Sequence, residues 1–171
     1  MAKQLTADDA RQSLTTHVWN KGIEVFAKYG PPSWAGLQLL LADRAQVRYP
    51  CEIVFDAAGL HTGEFAHPEQ KGANPEDGFT MFVHPIFMTQ LDRVPALVLY
   101  QLVAVNYGAF ASSEEAETFG AGALGLTRDE YYNMLCEASD LVGGQPEPVQ
   151  MVEEHAGGGG CGGGGTCGCG G

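Results

Sequence analysis

Leu14, Val18, Val25 and Phe26 recur at helical spacing in an otherwise polar stretch, which predicts an N-terminal helix reaching about Lys28. Thr6, with Asp9 three residues later, supplies a capping start, and Gly30-Pro31-Pro32 ends the helix. Residues 37–41 form an uninterrupted apolar run, readable either as a short extended stretch or as a helical turn. The pattern then switches to alternation. In Cys51–Phe55, Ile53 and Phe55 share one face, Glu52 and Val54 the other, and Ala57-Ala58-Gly59 follows as a turn. Residues 60–67 predict a second strand, 68–78 a loop rich in Pro, Gly, Asn and Asp, and 79–87 a third strand apolar enough to be interior.

Helical spacing returns after Asp92, which caps a helix over residues 93–107 with Pro95 in its first turn. That helix is apolar nearly all round and is expected at the centre of the fold. Ser112 with Glu115 is a capping box for the next helix, which ends near Gly125. Thr127 with Glu130 repeats the signal for a last helix ending at Gly143-Gly144. Glu114, Glu115 and Glu117 read as a solvated first turn, and Gly120, Gly122 and Gly125 as residues allowing close packing. The expected class is α+β: an N-terminal helix, a small, mainly antiparallel sheet and three C-terminal helices. Residues 1–142 form the globular domain, 143–156 a linker and 157–171 a flexible Gly/Cys-rich tail.

Charge narrows the partners. A net charge of −12, with no Lys or Arg after Arg128, argues against nucleic acid and against anionic membrane surfaces. The uncharged run 94–113 carries Pro95, Gln101, Asn106 and Gly108, which suits a buried helix better than a membrane span. The polar N-terminus does not read as a secretory leader, and five cysteines, an odd number, point to reduced thiols in a cytoplasmic protein. Cys51 and Cys136 stand in apolar surroundings and read as core.

The last fifteen residues are eleven glycines, Cys161, Thr166, Cys167 and Cys169. Such a stretch has no apolar face with which to build a core, so its thiols read as ligands or as sites of chemical change. Thiolates hold zinc, copper(I) and iron–sulfur clusters, and Cys167 and Cys169, one residue apart, are close enough to bind one ion. Cys161 is a third ligand and His155 completes a set of four. The string Thr166-Cys167-Gly168-Cys169-Gly170 resembles the C-terminal CGCG signature of the A-type iron–sulfur carriers. That resemblance implies a cluster held by the two close cysteines with a third upstream. The Gly/Cys/Thr composition also resembles the core segments of azole-modified peptide precursors, whose Cys and Thr side chains cyclise onto the preceding carbonyl.

In the body, the strand pair over residues 51–67, the segment Phe82-Val83-His84-Pro85 and the helix after it resemble the layout of SprT-like zincin metalloproteases. In that family the helix carries H-E-x-x-H, two zinc-binding histidines and a base. Here Tyr100, Gln101 and Ala104 stand at those positions, and Ser113 stands near the third ligand. The resemblance therefore implies a zincin scaffold without zincin chemistry, since Gln101 cannot take a proton. A separate candidate metal set is His61, His67 and His84, with Glu64 between the first two. His17 reads as a surface residue. The leading expectation is a non-catalytic protein that binds or hands on zinc or an iron–sulfur cluster through its tail, with a protein partner as acceptor. The alternatives are a precursor whose tail is altered by a modifying enzyme, and a degenerate zincin.

Overall fold

The computed structural model describes residues 7–143. The predicted Thr6 cap, the residues 144–156 of the linker and the whole Gly/Cys segment lie outside them. The class is α+β as expected. Helix α1 (Ala7–Tyr29) is followed by α2 (Trp34–Ala42), then strands β1 (Cys51–Phe55), β2 (Ala66–Gln70) and β3 (Phe79–Val83). Helices α3 (Val94–Tyr107), α4 (Ser113–Leu124) and α5 (Arg128–Gly143) complete the order, with single 3-10 turns at Pro75–Asp77, Pro85–Thr89 and Gly108–Phe110.

The sheet is mixed, in the order β1-β3-β2. β1 runs parallel to β3, with Cys51 opposite Phe79, and β2 runs antiparallel to it, with Ala66 opposite Val83. Met81 and Val83 of the central strand are fully buried. Pro68 sits in β2, an edge strand, where a missing N–H breaks no ladder.

Several sequence expectations move. The run 37–41 is helical: Ser33 caps α2 by accepting from the Gly36 N–H, and Leu37, Leu40 and Leu41 face the core. Residues 60–67 are not a regular strand, because the backbone turns at 57–60 and 61–64 through hydrogen bonds from Leu60 to Ala57 and from Glu64 to His61. β2 instead extends into the stretch read as loop. The third strand stops at Val83, since His84 accepts from the Ile86 N–H and opens a 3-10 turn on Pro85. Asp92 does not cap α3; Arg93 occupies that position with no side-chain cap bond.

α3 is buried on nearly every side, as its composition predicts. α1 packs along α4, and the approach is backbone to backbone. A methyl group at Gly22 would stand 2.6 Å from the Phe119 carbonyl oxygen and 3.0 Å from the Ala123 nitrogen. On the far side of α4, one at Gly120 would stand 2.2 Å from the Tyr131 ring of α5. Gly125 ends α4 in the left-handed region at φ 68°, where glycine carries no Cβ penalty. Both capping boxes form as read: Glu115 accepts from the Ser112 N–H at 2.9 Å, and Glu130 from the Thr127 N–H at 2.8 Å.

Glu115 nevertheless departs from expectation. It is 1% exposed, not solvated, and accepts from the Thr15 hydroxyl across the α1–α4 contact at 3.0 Å. Burial pushes its pKa up, but hydrogen bonds from the Ser112 hydroxyl and N–H and from Thr15 outweigh this and hold it below the ordinary value.

Candidate functional site

Cys161, Cys167, Cys169 and His155 lie outside the described residues. The other predicted ligands gather near one end of the β2–β3 pair. His67 is on β2, and His61 precedes it in the turn, with ring centroids 6.4 Å apart. Glu64 lies between them: one carboxylate oxygen accepts from the His61 N–H at 2.9 Å and the other stands 3.9 Å from His67 Nδ1. His84 directs Nδ1 to the Ile86 N–H at 3.3 Å, while its own N–H donates to the Phe65 carbonyl. Two imidazoles are thus brought together with a carboxylate. Among the described residues, no group of three or more His, Cys, Asp or Glu side chains is arranged to hold a metal ion.

Of the two body thiols, Cys51 is placed for packing. Cys51, on β1, is part of the layer against the core, and burial pushes its thiol up to about 11. A thiol so raised is a weaker nucleophile at neutral pH than an ordinary cysteine. Cys136, on α5, is partly buried, and its hydrogen bond to Tyr132 is the main cause of that phenol's raised pKa.

The α3 residues aligned with the zincin pattern have structural partners. Tyr100 packs edge-on against Phe65, centroids 6.0 Å apart. Gln101 Nε2 donates to the Ala66 carbonyl at 2.8 Å, pinning the helix beneath the first residue of the edge strand. Ala104 is exposed, and Ser113 opens α4 on the surface.

A feature that sequence reasoning missed lies at the C-terminal end of α3. Asn106, 9% exposed, accepts from the Arg48 N–H at 2.8 Å and donates to the Gln46 carbonyl at 2.9 Å. It ties the helix end to the loop 43–48, which Asp43 organises. The Asp43 carbonyl accepts from the Gln46 and Val47 N–H groups, and its carboxylate accepts from Ala45 N–H, Lys28 and the Tyr29 hydroxyl. Hydrogen bonds from Lys28, Ala45 and Tyr29 lower the Asp43 pKa to about 2. The loop so fixed carries Arg48 to two adjoining cavities of about 650 and 240 Å³, which share Arg48, Asn106 and Tyr107, and Arg44 to the smaller of them. The sequence signal was present in Arg44 and Arg48, two cations four residues apart in an acidic chain. Their cavity partners come from residues 14–110 and were not visible in the linear order.

No protein-family model, curated protein or solved structure matches the chain. Among the described residues, no helix is long and apolar enough to cross a membrane.

Proposed function

We propose that the protein is a non-catalytic carrier that binds a soft metal ion or an iron–sulfur cluster through Cys161, Cys167 and Cys169, with His155 as a fourth ligand. The observation that carries this reading is the C-x5-C-x-C spacing, three thiols within nine residues whose immediate neighbours are glycine except for Thr166. The folded residues serve as the recognition module for a cytoplasmic acceptor protein. A glycine-rich connection of this length raises the local concentration of the loaded thiols at a docked acceptor.

The test is metal and sulfide analysis with intact mass on full-length protein from its native host, beside the triple variant C161S/C167S/C169S. The reading expects metal or sulfide in the wild type and its loss from the variant. Metal-free protein whose thiols stay unbound on titration with zinc and copper(I) overturns it. A loss of about 18 or 20 Da per Cys or Thr confined to residues 157–171 would instead mark an azole-type precursor. Zinc retained by the triple variant would move the centre to His61, His67 and the zincin-like body.

A further inference from the structure

Nine Lys and Arg residues serve the whole chain, against twenty-one Asp and Glu. Two of the nine, Arg44 and Arg48, make no ion pair among the described residues, although acids outnumber them throughout. The Arg44 guanidinium donates to the Leu41 and Val47 carbonyls, each at 3.2 Å, which fixes its plane and leaves further N–H groups without a carboxylate. Arg48 stands over the Tyr49 ring at 5.4 Å, held by the ring face rather than by an acid. Both line the smaller cavity, with His17 and Lys21 across from them on α1. Lys21 is paired with Glu24 at 2.7 Å, so the positive balance of this pocket rests on the two arginines.

The larger cavity continues from Arg48 and Tyr107 and changes character. Leu14, Tyr49, Phe79, Val105 and Phe110 line it. Phe110, 90% exposed on the 3-10 turn after α3, forms its outer rim. Its volume, about 650 Å³, falls within the range of small-molecule sites, roughly 300–1,000 Å³. Gln46 lines the smaller cavity, and its side-chain oxygen is buried with no hydrogen-bond partner.

We propose that these joined cavities bind an organic anion: a carboxylate, sulfonate or phosphate head between Arg44 and Arg48, and an apolar or aromatic body against Tyr49, Phe79, Tyr107 and Phe110. This site is independent of the thiol-bearing segment, and it stands or falls apart from the carrier reading.

The experiment is a fluorescence titration of the full chain with 8-anilinonaphthalene-1-sulfonate, beside its neutral counterpart N-phenyl-1-naphthylamine. The variants are Arg48→Gln, Phe110→Ala and, as a charge control away from the cavities, Arg128→Gln. The expected result is one site that prefers the sulfonate. Arg48→Gln should weaken the sulfonate about tenfold or more, the size of one charge-assisted hydrogen bond, and leave the neutral amine within about twofold. Phe110→Ala, a change at a side chain too exposed to hold the fold, should weaken both probes. Arg128→Gln should weaken neither. Equal affinity for the two probes, or sulfonate binding unmoved by Arg48→Gln, overturns the proposal. Displacement of the sulfonate by a micromolar peptide of residues 147–154 also overturns it, since the groove would then be a seat for an acidic chain segment.

Discussion

At the scale of single residues, the described body is held by buried polar groups whose partners lie far away in the chain. Glu115 is the clearest case, joining the start of α4 to Thr15 of α1. Because hydrogen bonds hold its folded pKa below the ordinary carboxylate value, its contribution is fully present above the unfolded pKa. It is lost as pH falls through the folded pKa. Glu115→Ala should cost about 2–4 kcal/mol, leaving the Ser112 and Thr15 donors unpaired, and Glu115→Gln should cost less; urea titration at pH 7 measures both. The gap between Glu115→Ala and wild type should narrow toward pH 3. Tyr131 is a second case, fully buried with its hydroxyl donating to the Ala96 carbonyl at 2.6 Å. Tyr131→Phe should cost about 1–2 kcal/mol by the same titration. The capping half of Glu115 was legible from Ser112 three residues away. Its burial was not, because Thr15 is a hundred residues distant and no local pattern reports it.

Elements whose ends are set by local chemistry were the legible ones. Ser112 with Glu115, Thr127 with Glu130 and Gly125 at positive φ each act within one turn of the backbone, so the sequence carries them directly. α2 was ambiguous because an apolar run such as 37–41 has no period to separate helix from strand. β2 was displaced because its Pro68 and the charged residues beside it look like a loop, and only pairing with β3 makes them a strand. The α1–α4 contact yields the sharpest prediction at this scale. Gly22 in the middle of α1 lowers helix propensity, and Ala there would raise it by about 1 kcal/mol in isolation. The Cβ, however, would meet backbone atoms of α4 that cannot rotate away. Gly22→Ala should therefore destabilise the protein, by about 1–3 kcal/mol, and a gain in stability would show that the two helices separate easily. Gly120→Ala should cost as much or more, since Tyr131 is fixed by its own hydrogen bond.

For the whole molecule, one proposed site lies among the described residues and the other among residues 155–169, and the two should couple to folding differently. A metal held wholly by Cys161, Cys167 and Cys169 meets the same thiols whether the body is folded or unfolded. It has no preference for either state, so linkage gives no shift in the body's melting temperature. An organic anion between Arg44 and Arg48 needs the loop 43–48 pinned by Asn106 and the end of α3 in place, an arrangement that unfolding destroys. It binds the native state alone and should stabilise it by about 2.7 kcal/mol at a hundredfold excess over Kd. Calorimetry of the full chain therefore separates them: zinc or copper(I) should leave the transition where it is, and anilinonaphthalene sulfonate should raise it by several degrees. Asn106→Leu removes the pin while keeping bulk, and it should abolish the anion's shift while leaving metal stoichiometry unchanged. A metal-induced rise in the transition that the triple cysteine variant lacks would mean that the loaded segment docks on the body. The carrier would then present its cargo from a fixed seat rather than from a free arm.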